Sequence, residues 1–336
     1  MTANYAANIS AQNMGNIADV LGLKPVVLAP MAGVTDAPFR AAVRSFGPAL
    51  VYSEMVASAE LLRDRRSAAL RLKADGAAGP LAIQLAGREP GALAEAARIA
   101  EAEGAILIDI NMGCPAKKVV GGLCGSALMR EPDLARALVR AVIDAVSVPV
   151  SVKMRLGWDE NDRNAPELAR QLESEGVQAV AVHGRTRAQF YEGPADWSFI
   201  ARVKAAVTIP VLANGDVRGT EDAKNILQVS GADGVMIGRG AFGRPWVIAQ
   251  MQAALDGAPV PADPPDAVKW QTALRQYRAA LSHYGIDLGR RVVRKHLGWY
   301  AESANAGKEL RDALVRATDP EPLLMRLAGV LQSEAA

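Results

Sequence analysis

Cys114 sits between a glycine and a proline in Asn111-Met-Gly-Cys-Pro115, a setting that takes a thiol out of regular structure and onto a loop. A thiol so placed can serve as a nucleophile or as a proton donor, and the motif alone does not choose. Lys153 lies in the apolar run Val150-Ser-Val-Lys-Met154. An amine there is costly unless an anion or an electron-rich ring meets it. It could form a Schiff base, place its charge beside the N1/O2 edge of a flavin, or be a structural lysine that snorkels to water. His183, one of three histidines, closes another apolar run in Val182-His-Gly-Arg-Thr186, where a core role and a ligand-binding role are both open. Asn214-Gly-Asp216 and Gly238-Arg-Gly240 are glycine-containing segments of the kind that let backbone N–H groups approach a phosphate, with Arg239 as a charged fork. Cys124, in Gly121-Gly-Leu-Cys-Gly125, reads as a small packing residue. The C-x9-C spacing fits no common zinc pattern, and no metal site is expected.

These residues need a scaffold, and the apolar periodicity supplies one. Runs apolar on both faces occur near 26–30, 49–53, 80–85, 105–110, 148–154, 178–183, 209–213 and 232–238. Strands covered by helices on one side and by a packed interior on the other require that pattern. Between them lie helix candidates at 90–103, 132–145, 161–175 and 219–229, several with Pro or an acid in the first turn. Eight alternations over roughly 250 residues predict a TIM (β/α)8 barrel. A doubly wound sheet would want G-x-G-x-x-G after the first strand, and Ala29-Pro-Met-Ala-Gly33 stands there instead. The chemistry-bearing residues above then fall at the C-terminal strand ends, where barrels place their sites. Gln84, Asn111 and Arg155 join them there. Four prolines in 257–265 interrupt the pattern, and 266–336 has no strand-like run. The expected organisation is an N-terminal extension over 1–20, a barrel over 21–256, a proline-rich linker over 257–265, and a small all-helical domain over 266–336.

Composition excludes several classes. Of 336 residues, half are apolar and 22% charged, the balance of a globular protein with a large core. Two cysteines are too few for a disulfide scaffold and suit a reduced cytosol. The first twenty residues lack a basic, continuously apolar leader, and no run approaches the ~18 apolar residues of a membrane span. A soluble cytoplasmic protein, without a membrane partner and monomeric, is expected. Net charge is only +2, so a nucleic-acid partner must be sought locally. Between Lys269 and Tyr300 there are seven basic side chains (Lys269, Arg275, Arg278, Arg290, Arg291, Arg294, Lys295) against Asp287 alone. Trp270, Tyr277, Tyr284, Trp299 and Tyr300 are interleaved with them, a mixture suited to phosphate contact and base stacking. A second cluster (Arg63, Arg65, Arg66, Arg71, Lys73) and the pair Lys117 and Lys118 fall on the expected mouth face.

Longer strings narrow the function. Asn111-Met-Gly-Cys-Pro-Ala-Lys-Lys118, Ala29-Pro-Met-Ala-Gly-Val-Thr-Asp36 and Val182-His-Gly-Arg-Thr186 closely resemble the tRNA-dihydrouridine synthase family, above all its bacterial B-type branch. Met236-Ile-Gly-Arg239, Gly243-Arg-Pro-Trp246 and Arg294-Lys-His-x-x-Trp-Tyr300 strengthen the likeness, which spans nearly the whole chain. The resemblance implies an FMN-binding barrel followed by a tRNA-binding helical domain. It implies that Pro30, Met31 and Ala32 line the flavin, that Gln84, Lys153 and His183 meet its ring, and that Asn214, Gly215, Asp216, Gly238 and Arg239 hold its phosphate. Cys114 would be the general acid, with Asn111 and Arg155 near the uracil. NADPH would reduce the flavin, and a D-loop uridine flipped from the tRNA, position 17 by B-type likeness, would take a hydride at C6 and a proton from Cys114 at C5. The rivals are an FMN barrel acting on a free pyrimidine and a non-catalytic RNA-binding barrel. Cys124 departs from the family pattern.

Overall fold

The computed structural model describes residues 17–22, 25–47, 49–64, 70–72 and 79–329. Arg65, Arg66, Lys73 and most of the expected N-terminal extension lie outside the described residues, as does the side chain of Lys118. The strands are β1 (Val26–Leu28), β2 (Val51–Tyr52), β3 (Val56–Ala57), β4 (Leu81–Ala86), β5 (Leu107–Met112), β6 (Val150–Arg155), β7 (Ala179–His183), β8 (Val211–Asn214) and β9 (Gly234–Ile237). All pairings are parallel, and the sheet closes on itself through β1–β9 at one end and β1–β2 and β2–β4 at the other. Eight strands form the ring of a TIM barrel; the two-residue β3 adds only to β4. Each of the eight apolar runs overlaps one ring strand, with β4, β5, β6 and β8 extending one or two residues beyond it, and β3 is the element the sequence pattern does not show. It is too short to carry a period.

Strand alternation explains what each face does. Outward positions such as Ile83, Ile108, Ile110, Val152, Val180, Val182 and Val235 join one cluster with Leu93, Leu138, Leu168 and Ile200 of the surrounding helices. Inward positions near the strand starts (Val27, Ala82, Leu107, Ala179, Leu212, Met236) form a second cluster. Ile17, Val20 and Leu21, from the short helix Ile17–Leu21, belong to it and close the lower end. The Ile17 amide donates to the Gln178 side chain just before β7. The chain is therefore already part of the barrel core before residue 21. Farther up the same inward faces the side chains turn polar: Gln84, Asp109, Asn111, Ser151, Lys153, Arg155, His183 and Asn214. The register keeps them level, with Gln84 beside Asp109, Asn111 beside Lys153, and Arg155 beside His183.

After the barrel come helices Asp266–Tyr284, Ile286–Ser303, Gly307–Arg316 and Glu321–Leu327. Their own core holds Trp270, Leu274, Tyr277, Leu297, Tyr300, Leu314 and Leu324. The proline-rich segment is fastened to helix Val247–Leu255: Trp246 Nε1 and Gln250 Nε2 both donate to Asp263 Oδ1. The helical region also packs on helix Ala37–Arg44, which follows the β1 loop, and Tyr284 donates its hydroxyl to the N-capping Asp36.

Gly234 opens β9 where a Cβ would stand 2.6 Å from Pro25 Cγ and 2.7 Å from the Pro25 carbonyl oxygen. Overpacking of this kind costs about 1–3 kcal/mol. Gly234→Ala should therefore lower the thermal midpoint by several degrees, at about 2–4 °C per kcal/mol. An unchanged melting curve would contradict the assigned β1–β9 closure.

Candidate active site

A continuous row of paired polar groups runs up the barrel wall. Asp109 accepts from Ser151 Oγ at 2.6 Å and from Gln84 Nε2 at 2.7 Å. Gln84 Oε1 accepts from Asn111 Nδ2 at 2.7 Å. Asn111 Oδ1 accepts in turn from the amides of Gly113 and Cys114, at 3.2 and 3.0 Å. Buried polar groups persist only when paired, and the row satisfies each carbonyl and amide end in it. It ends on the backbone of the cysteine loop. The other side of that loop is held equally firmly: Ser126 N and Oγ donate to the Cys114 carbonyl, and Arg155 Nε donates to the Gly113 carbonyl at 2.8 Å. Gly125 has φ +61°, and a Cβ on it would stand 2.7 Å from the Cys114 carbonyl oxygen, so only glycine lets the returning chain pass. Cys114 itself is half-buried, a free thiol near the Lys153 and Arg155 charges. Cys124, also free, donates its thiol to the Gly122 carbonyl.

Arg155 is 2% exposed and spends its guanidinium on three carbonyls: Gly113, Thr186 and Phe190. It braces the cysteine loop against the β7 loop, so a direct role at a substrate is confined to what its remaining N–H groups reach. Lys153, by contrast, has no hydrogen-bond partner for its amine among the described residues. Burial and the neighbouring Arg155 push it down to about 8, against the pull of Asp109. His183 is held neutral, well below its ordinary titration, by burial and by Lys153, Arg155, Arg185 and Arg239 around it. Arg185 Nη1 lies 3.2 Å from His183 Nε2 and can only donate, which assigns the imidazole proton to Nδ1.

The loops after β8 and β9 meet beside His183. Gly215 has φ +124°, and a Cβ there would meet Ala195 Cβ at 2.8 Å and the His183 ring at 3.1 Å. Asp216 adopts φ +57° and accepts from Arg185 Nη2 at 2.6 Å, from the Ala195 amide at 2.8 Å and from Arg239 Nη2 at 3.3 Å. Burial raises this carboxylate, but the hydrogen bonds from Arg185 and the Ala195 amide and the charges of Arg185 and Arg239 outweigh it and keep it below its usual range. Its side chain is therefore committed to holding Arg239, and only its backbone is available to an anion. Asn214 donates to the Met236 carbonyl. Gly238 leaves room at Met31, with the nearest atom to a built Cβ, Met31 Sδ, at 3.6 Å. Pro30, Met31 and Ala32 form the β1 loop, tied by Thr35 Oγ1 accepting from the Met31 amide.

Arg185, which the sequence showed only within the Val182–Thr186 motif, braces the rim, while Asp109 and Ser151 below it and Tyr191 on it are residues the sequence did not single out. Asp109 and Ser151 sit at inward parity with Asn111 and Lys153, a signal present in the strand alternation. Tyr191 is 54% exposed at the rim, with the guanidinium carbons of Arg155 and Arg239 at 5.6 and 5.1 Å from its ring. Nothing in its sequence neighbourhood marks it.

The cations of the basic helical region fall into two groups. Arg278 pairs with Glu321 at 2.7 Å, and Arg290 with Asp319 at 3.6 Å and the Tyr277 hydroxyl. Arg291, Arg294 and Lys295 are exposed, share one face of helix Ile286–Ser303, and have no ion-pair partner among the described residues. The aromatics expected to stack bases are instead taken up in packing: Trp270, Tyr277 and Tyr300 are buried, Trp299 is half-buried against Phe242, and Tyr284 is half-buried with its hydroxyl on Asp36. A helical bundle this small needs its large side chains for its own core. In the second cluster Arg71 pairs with Glu60. Among the described residues no group of three or more acids, histidines or cysteines could hold a metal, and no helix is long and apolar enough to cross a membrane.

The fold and its rim define a TIM-barrel protein whose C-terminal strand ends carry a cysteine on a clamped loop, an amine without a hydrogen-bond partner among the described residues, and two glycine-containing loops that meet beside His183. The family model described as dihydrouridine synthase matches residues 27–335, and the chain belongs to that family. A probable tRNA-dihydrouridine synthase of Rhodobacter capsulatus is 53% identical over 313 residues, covering 93% of this chain and 96% of the relative. One from Rhizobium leguminosarum is 51% identical, covering 92% and 96%. A tRNA-dihydrouridine synthase B of Xanthomonas axonopodis is 46% identical over 299 residues, covering 89% and 90%.

Asp109 yields a pH test. Burial raises it from 3.8 to about 6, with Ser151, Gln84 and Lys153 opposing. A folded-state pKa above the unfolded value means the folded form binds the proton more tightly. The contribution is full below about pH 4 and is lost as pH rises through 6. At about 1.4 kcal/mol per unit, wild type should lose on the order of 3 kcal/mol relative to Asp109→Asn between pH 4 and 7 in urea titrations. Parallel stability profiles would overturn the assignment of a buried, ionisable carboxyl there.

Proposed function

We propose that the chain is an FMN-dependent tRNA-dihydrouridine synthase that saturates the C5=C6 bond of a D-loop uridine, position 17 on the B-type likeness, with NADPH as reductant. The observation that carries this is Cys114, whose loop backbone Asn111, Ser126 and Arg155 hold at a mouth that also presents Lys153 and His183, in a chain of this family.

The residues fit a flavin mononucleotide. Lys153 offers an amine without a protein partner, and an electron-rich ring edge would restore the charge that burial disfavours. Gly215, Gly238 and Arg239 offer backbone and a guanidinium to a phosphate, with Asp216 fixing the arginine. Pro30, Met31, Ala32, Gln84 and neutral His183 would line the ring, and Asn214 would hold the β8–β9 loops through Met236. FMN, once bound, supplies the hydride that C6 of uracil receives.

The chain's own groups do the rest. Cys114 delivers the proton to C5 from the opposite face, which requires a neutral thiol rather than a thiolate-forming pair. Asn111 sets the position of that thiol through the loop amide, and its second Nδ2 hydrogen is left for the substrate. Tyr191, exposed between Arg155 and Arg239, is placed to stack against a flipped base at the rim. Arg291, Arg294 and Lys295 supply phosphate contacts beside the mouth, with Arg290 behind them in its pairing with Asp319.

Cys114→Ala should keep its flavin, seen as yellow absorbance, and lose at least about 100-fold in the rate at which unmodified tRNA reoxidises reduced enzyme, the scale of a lost general acid. Free uridine should be a poor oxidant for wild type. Full turnover by Cys114→Ala would sink the proposal, and efficient reoxidation by free uridine would favour the free-pyrimidine alternative.

A further inference from the structure

Helix Ile286–Ser303 carries Arg291, Arg294 and Lys295 along one side, and the adjoining side, from Lys295 round to Trp299 and His296, touches both loops that line the barrel mouth. His296 is buried with Phe39 at 5.0 Å and Trp299 at 5.0 Å between ring centroids. Trp299 stacks on Phe242 at 3.9 Å and 16°. Phe39 lies in helix Ala37–Arg44, immediately after the β1 loop. Phe242 ends the short turn Arg239–Ala241 that follows β9. The four rings therefore make one row from the Met31 side of the mouth to the Arg239 side, through a helix that belongs to neither.

Two glycines show how close the approach is. Gly243 has φ +65°, and the place of a Cβ on it is taken by the Trp299 carbonyl oxygen. A Cβ on Gly33, in the β1 loop, would stand 3.1 Å from Lys295 Nζ. Neither His296 ring nitrogen has a protein partner among the described residues, and burial pushes the ring down to about 3, so it is neutral. The imidazole thus contributes shape and ring contact, which a phenyl ring would also supply.

We propose that His296 and Trp299 are positioning residues which complete the cofactor cradle from outside the barrel, so that RNA held on Arg291, Arg294 and Lys295 tightens the grip on the flavin. This rests on the function proposed above. One helix bears the RNA-contacting cations along one side and meets both flavin loops along the adjoining side, so fixing it for one ligand removes part of the ordering cost for the other. The coupling is reciprocal: bound flavin tightens RNA by the same factor.

The test is FMN affinity, read by flavin fluorescence on the full chain with and without unmodified tRNA. For wild type, saturating tRNA should lower the FMN dissociation constant at least about fivefold, the lower end of measured couplings. Trp299→Ala should bind FMN more weakly without RNA and lose the RNA effect. Phe242→Leu, a gentler change, should reduce the effect without unfolding the chain, which circular dichroism checks. His296→Phe should retain the effect and His296→Leu should not. Wild-type FMN affinity and RNA response in Trp299→Ala and Phe242→Leu would overturn the proposal, as would a wild type whose FMN affinity ignores tRNA. A wild-type chain that binds no FMN at all would instead bring down the functional reading on which the proposal stands.

Discussion

A polar row inside an apolar barrel has to be paired throughout, and the pairing here terminates on the backbone of Cys114. An unsatisfied amide or carboxyl in that interior would cost about 1–3 kcal/mol. Ser151, Asp109, Gln84 and Asn111 avoid that cost only in one arrangement, and that arrangement places Asn111 Oδ1 beneath the amides of Gly113 and Cys114. Stability and chemistry are thereby joined: the hydrogen bonds that let polar residues occupy the barrel also fix the thiol's loop.

The charges around the mouth follow the same economy. Arg155, Arg185 and Asp216 are consumed in bracing loops, and their neighbours Lys153 and Arg239 are left with spare capacity. The distinction between a bracing cation and an available one decides which residues can meet a ligand. Burial alone does not make it, since Arg155 and Lys153 are adjacent inward positions of one strand.

Much of the architecture was legible in the chain. Both-face apolar runs such as 105–110 and 178–183 required covered strands, and the polar residues at their ends required a rim. The proline-rich break at 257–265 was legible as an interruption, though not its fastening to Gln250 and Trp246, since that depends on contacts local composition does not encode. Partnerships were the hardest part. Arg290 reads like Arg291 until Asp319 is brought against it, and Trp270, Tyr277 and Tyr300 read as stacking platforms until a small bundle needs them for its core. Asp109 was written in the alternation Ile108-Asp-Ile110, and Tyr191 left no local trace because its exposure arises from where the β7 loop ends.

Asn111 is the clamp of the thiol's loop. The most direct measurement is a single-turnover reoxidation of reduced Asn111→Ala by unmodified tRNA, with flavin content and tRNA affinity determined on the same sample. Displacement of a reacting group by an ångström is worth about 100-fold, so the rate should fall on that scale while flavin is retained. A variant that reoxidises at the wild-type rate would show that the thiol's position does not depend on the buried row.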